Sequence, residues 1–183
     1  RQQFSVAGGK GGNGLFFQAD SLPPDPRVPW EDNGEKGQDD ITKYYNQLKY
    51  TSTSASVVLA SGIEARLIEA EAAVQAADTQ AVEDIHNALR ALEGLPADDL
   101  SGMDQDELRA YHFKERAFWL FSTGHRQGDL RRLVRVYGKN ASDVFPWGTY
   151  FKGGQYEPVL SFPVPQSEEN NPNFKGCLDE QDT

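Results

Sequence analysis

The chain is poor in cysteine, histidine and positive charge. A single Cys, Cys177, stands among 183 residues, which excludes an internal disulfide framework and a paired-cysteine zinc site. Lys and Arg number 18 against 28 Asp and Glu, a formal net charge of −10. A generic nucleic-acid binder needs an excess of cations to displace counterions from phosphates, so that class is excluded. No run approaches the roughly 20 consecutive apolar residues that span a bilayer. There are 3 His, without the H-E-x-x-H spacing of a helical zinc site, and no G-x-S-x-G nucleophile elbow. No metal or cofactor is expected. Residue 1 is Arg, with no charged-then-apolar signal region behind it. The chain therefore reads as a processed product or a piece of a longer one, with any export signal upstream.

What is present is a core. Apolar residues make up 38% and aromatics 11%, too much for a disordered chain and enough for about one domain. Charge is unevenly spread. Residues 57–103 carry two basic and nine acidic side chains, while 104–139 carry eight and five. The basic stretch is short and helical, better placed to pair with the acidic one than to bind a polyanion.

Three stretches follow from composition and periodicity. Residues 1–56 form a Gly/Pro-rich irregular segment. Within it SVAGGKGGNG has Gly11 after Lys10, not the Ser or Thr of a phosphate loop. Residues 20–40 hold four prolines, incompatible with regular helix or central strand; Val28 and Trp30, flanking Pro29, are placed to pin this segment to a surface. The acids there lack the D-x-[DN]-x-[DN]-G spacing of a calcium loop. Residues 57–139 form a helical core of two hairpins. The first helix spans about 57–77, with Ile63, Leu67, Ala70 and Val74 inward. The second spans Thr79 to Leu92, with Thr79 as N-cap and Val82, Ile85, Leu89 and Leu92 inward. The two-residue link Ala77-Asp78 forces an antiparallel hairpin. A third helix runs from Asp104, whose partner Glu107 makes a capping-box start, to Ser122; its aromatics require burial on more than one side. A fourth runs from Gln127 to Tyr137, ended by Gly138. Residues 140–183 form an aromatic, Pro-rich extension, with a strand-like piece at Val159–Phe162. The fold class is mainly α: helical hairpins with long irregular N- and C-terminal segments.

Carboxylates are plentiful, but Glu64, Glu71, Glu115 and Asp129 fall on helices near Arg66, Arg90, Arg116 and Arg126. Buried charges must be paired, so ion pairs between helices are the expectation, not a hydrolytic dyad. His112 and Glu115 lie three apart on one helix, yet no third ligand is near in sequence; His86 and His125 read as structural or surface residues. Cys177 sits in a polar tail with nothing to lower its pKa. The remaining feature is aromatic. Trp30, Trp147, Tyr150 and Tyr156 are of the type that stacks on the apolar face of a sugar ring, and the alternative for each is to clasp the core.

Five ordered pieces resemble one family. Glu64-Ala65-Arg66-Leu67-Ile68-Glu69-Ala70-Glu71-Ala72 looks like an E-x-x-L-I-x-A-E-A helix, and Ile85-His86-Asn87-Ala88-Leu89-Arg90 like I-N-x-x-R. Glu115-Arg116 before Phe118-Trp119-Leu120, then Gly124-His125-Arg126 and Asp129-Leu130-Arg131-Arg132, is similar to F-x-x-E-R-x-x-E-L-x-x-E-G-x-R-x-x-D-L-x-R. Phe162-Pro163-Val164-Pro165, then Glu168 and Asn171-Pro172-Asn173-Phe174, look like the closing P-I-P-x-x-E-x-x-x-N-P-x-L. Over residues 57–176 the chain thus resembles the C-terminal part of the SusD/RagB-like outer-membrane lipoproteins. It departs where Phe121-Ser122-Thr123 replaces the usual Glu before Gly, and where Lys175-Gly176-Cys177 closes the motif. The resemblance implies a TPR-like scaffold and a non-enzymatic, cell-surface subunit that binds oligo- or polysaccharide beside a TonB-dependent transporter, its lipid anchor upstream. It also implies that Glu71, Arg90, Glu115, Arg126 and Asp129 form a buried polar network, not a catalytic one. The alternative is a structural, surface-assembly or protein-interaction module on the same scaffold, with self-association.

Overall fold

The computed structural model describes residues 15, 17, 25–37, 40–41, 43–149, 153–156 and 166–174. These residues are mainly α-helical. By contact they divide into two compact units, the first ending at Gln127 and the second beginning at Gly128.

In the first unit, Ser61 opens helix α1 (Gly62–Gln75). Its backbone is extended and its hydroxyl accepts the Glu64 N–H at 3.1 Å. That cap places the start at Gly62 rather than 57; Val57, Val58 and Leu59 precede it, exposed and non-helical. At the other end Ala77 takes a left-handed φ of 57°. Its N–H reaches Val74 O at 3.1 Å and that of Asp78 reaches Ala73 O at 3.0 Å, the paired bonds of a Schellman exit. Asp78 then caps α2 (Thr79–Leu92) by accepting the Ala81 N–H at 3.1 Å. Thr79, expected as the cap, is the first helical residue, because the left-handed turn at Ala77 leaves Asp78 as the half-in residue. Gly94, at φ 65°, repeats the Schellman exit: Leu95 N–H bonds Arg90 O at 3.0 Å and Gly94 N–H bonds Ala91 O at 3.3 Å.

The stripe of α1 falls as expected, with Leu67, Ala70 and Val74 buried. On α2, Val82 and Leu89 are buried but Leu92 is 69% exposed; His86 and Arg90 occupy the inward positions instead. The two helices run antiparallel. Leu67 meets Leu89 near one end and Val74 meets Val82 near the other.

Helix α3 (Gln105–Trp119) starts from a complete capping box. The Asp104 carboxylate accepts the Asp106 and Glu107 N–H groups, and Glu107 accepts that of Asp104. It packs on both α1 and α2. Leu108 and Leu100 close over Val74 and Val82, while Trp119 and Leu120 close over Leu67 and Leu89. Burying each such side chain contributes roughly 2 kcal/mol. Gln105 adds a bond from its side-chain amide to Val74 O, serving a carbonyl at the α1 terminus. The helix stops at Trp119, short of Ser122, where left-handed φ values at Ser122 (57°) and Gly124 (84°) break the ladder.

The irregular segment joins the same unit. Val28, fully buried, packs on Phe118, with Phe17, Trp30, Tyr45 and Phe121 around them. A two-residue antiparallel ladder pairs β1 (Trp30–Glu31) with β2 (Asn46–Gln47), in register Trp30↔Gln47 and Glu31↔Asn46. Sequence reasoning foresaw the pin at Val28 and Trp30 but not this ladder.

Helix α4 (Arg126–Arg135) crosses from the first unit into the second. The expected helical core of residues 57–139 therefore contributes residues to both units. The second unit continues with α5 (Ala141–Val144), an isolated bridge Thr149↔Gln155 and α6 (Gln166–Glu169). Val159–Phe162 lies outside the described residues.

Candidate functional site

The polar residues of α2 and α3 turn inward. Glu115 is 2% exposed, and its two carboxylate oxygens receive separate guanidinium groups. Arg90 Nη1 lies 3.0 Å from Oε1, and Arg27 Nη1 lies 2.6 Å from Oε2. Arg27 also grips Asp25 through Nε and Nη2 at 2.9 and 2.7 Å. Its guanidinium lies over Phe118 at 5.0 Å and near Trp119 at 5.2 Å, a cation–π placement strengthened by burial. Arg90 continues outward. Its Nε donates to Pro96 O at 2.8 Å and Nη1 lies 3.1 Å from Asp98. Tyr111 donates to the same Asp98 carboxylate at 2.9 Å.

For Asp25 and Arg27, charge stabilisation within this network wins over burial. Burial pushes the Asp25 carboxyl up, but hydrogen bonds and charge from Arg27 hold it below its ordinary value. Burial lowers Arg27, yet Asp25 and Glu115 together raise it. Burial raises the Tyr111 phenol, reinforced by the charge of Glu115 and the bond to Asp98. Glu115 is buried, and each of its oxygens is bound to a guanidinium. Glu115 reads as a clamp joining α2, α3 and the 25–30 segment, not as an acid or base.

The five residues expected in one polar network are distributed. Arg90 and Glu115 meet directly. Glu71 lies 3.8 Å from His112 Nε2. Asp129, 1% exposed, pairs with Arg132 at 2.9 Å in the second unit. Arg126 opens α4, half-buried. Arg27 and Asp25 escaped the sequence reading. They sit in the D-P-R stretch of a Pro-rich loop, where no periodicity marks a side chain as inward.

Two of the three histidines are also internal. His86 Nε2 lies 3.1 Å from His112 Nδ1, and both rings are fully buried. Among the described residues no group of three His, Cys, Asp or Glu side chains is arranged to hold a metal ion. His125 joins Thr123 Oγ1 at 2.7 Å and Glu64 Oε1 at 2.9 Å, tying the turn after α3 to the first turn of α1.

The aromatic candidates separate. Trp30 packs edge-on to Tyr45, ring centroids 5.3 Å apart, with its indole Nε1 buried; it belongs to the cluster over Phe118. Tyr150 lies outside the described residues. Trp147, 51% exposed, and Tyr156 lie on two strands of chain drawn together in the second unit. Tyr156 N–H bonds Gly148 O at 2.8 Å, and Thr149 pairs with Gln155, whose amide also donates to Thr149 Oγ1 at 3.1 Å. Gly148, Gly153 and Gly154 all take left-handed φ, which only glycine adopts freely. The result is a small ribbon carrying an exposed indole. Among the described residues no helix is long and apolar enough to cross a membrane.

Compared with known proteins, the chain matches no family model, no curated protein and no solved structure.

Proposed function

We propose that the chain is the C-terminal part of a non-enzymatic, cell-surface glycan-capture subunit that works beside a TonB-dependent outer-membrane transporter. The helices serve as scaffold and the ribbon around Trp147 contacts the ligand. The observation that carries this reading is Trp147 itself, a large indole left half in solvent on a Gly-shaped ribbon. An exposed indole face stacks on the C–H face of a sugar ring, while a few polar groups nearby set orientation. The motif residues Glu115 and Arg90 are committed to internal ion pairs, which fits a scaffold role and leaves no reactive group on them.

The experiment is retardation of the 183-residue chain in native gels cast with each of a panel of soluble polysaccharides. One polysaccharide is expected to slow it. A folded sample slowed by none of them contradicts capture by this chain.

The second reading is an interaction or surface-assembly module. It is favoured by the apolar run Val57, Val58 and Leu59, which are 71%, 67% and 98% exposed. Contiguous exposed aliphatics are more characteristic of a protein contact than of a sugar site. Sedimentation showing concentration-dependent oligomers that Leu59→Asp abolishes would favour it.

A further inference from the structure

The paired imidazoles between α2 and α3 lie outside the proposed glycan contact, and their hydrogen-bond inventory is lopsided. His86 Nε2 and His112 Nδ1 share one bond at 3.1 Å. On the far side of its ring, His112 Nε2 faces the Glu71 carboxylate at 3.8 Å. On the far side of the other ring, His86 Nδ1 is buried and takes no hydrogen bond among the described residues. The Glu71 carboxylate lies beyond hydrogen-bond distance, and its charge favours one tautomer pair over the other. If His86 donates from Nε2, the remaining proton of His112 sits on Nε2 and points at a carboxylate. The reverse arrangement aims a lone pair at Glu71 and strands an N–H at His86 Nδ1.

We propose that the hydrogen bond between His86 and His112, given its direction by the Glu71 charge, makes the three-helix unit acid-sensitive, because a proton added at His86 Nδ1 finds no acceptor until α2 leaves α3. The surrounding charges act in the same direction. Arg90 on α2, Arg116 on α3 and Arg27 from the irregular segment all oppose a positive charge on His86. The neighbouring acids are Glu71 on α1, which faces His112, and Glu115 on α3, which is held by Arg27 and Arg90. Tyr111 meets the His86 ring edge-on at 5.3 Å, but its hydroxyl is bound to Asp98.

Burial first, then the charges of His112, Arg90, Arg27 and Arg116, lower the His86 pKa to about 3. In the unfolded chain an imidazole titrates near 6.5. Between those values the unfolded state binds more protons, so stability falls as pH drops below 6.5. From pH 7.5 to 5.5 this single imidazole lowers the folding constant about tenfold. The carboxylates, which titrate lower, contribute little in that window.

The test has two parts, both on the full chain. Urea unfolding at pH 7.5 and 5.5 is expected to show a fall in the folding constant of the wild type that exceeds the fall in His86→Leu by a factor of about ten. Nitrogen-15 spectra of the folded wild type, labelled at histidine, are expected to show His86 protonated at Nε2 and bare at Nδ1 at both pH values. A proton on His86 Nδ1 in the folded chain at pH 5.5 overturns the proposal, even if the variant does not fold. A folded His86→Leu that keeps the full wild-type pH dependence overturns it as well.

Discussion

Glu115 takes guanidinium groups from two directions along the chain, Arg27 from the irregular segment and Arg90 from α2. Removing its charge leaves two buried cations facing a neutral amide. Glu115→Gln is expected to cost about 3–5 kcal/mol, the usual penalty for breaking a buried pair from one side; urea unfolding near neutral pH measures it. The resemblance implied one buried network holding both Glu115 and Arg90, and the rule that a buried ion must find a partner implied ion pairs between helices, but neither said that these two meet. Arg27 was not legible. Its burial depends on Val28 docking against Phe118, a contact 90 residues away in sequence that local pattern does not encode. Leu92 shows the opposite failure. Its apolar type and spacing placed it inward, yet the Schellman turn at Gly94 ends the helix there and leaves it in solvent.

At the scale of the element, the joint between α1 and α2 carries the hairpin. Ala77 occupies the left-handed seat that glycine fills at the end of α2, with φ 57°. An L-residue there costs about 1–2 kcal/mol, of which the extra freedom of an unfolded glycine returns part. Ala77→Gly is expected to raise the urea midpoint, by up to about 1 kcal/mol in stability. At the start of α3, Asp104 accepts two N–H groups as half of a capping box. Asp104→Ala is expected to cost about 1 kcal/mol. The four long helices were readable because caps, stripes and glycine stops agreed with one another. The start of α1 lies after the Ser61 cap rather than at 57, and at α2 both Asp78 and Thr79 are capping residue types that sequence alone does not separate. The β1–β2 ladder was hidden because two residues per strand are too few for alternation to show.

At the scale of the whole molecule, the proposed function divides the chain into two roles. A mainly helical unit spends its charged motif residues on internal pairing, and the second unit presents a Gly-shaped ribbon with one indole half in solvent. Residue type alone proposed four aromatics for a sugar site. Burial distinguishes Trp30, in the cluster over Phe118, from Trp147, and only tertiary packing carries that distinction. The division of labour between scaffold and ribbon is the central claim. The measurement that tests it most directly is the affinity of folded Trp147→Ala for a polysaccharide that retards the wild type. Loss of about tenfold or more in affinity at an unchanged Tm is the expected result. Wild-type affinity at an unchanged Tm, or an equal loss of affinity and stability, would contradict it.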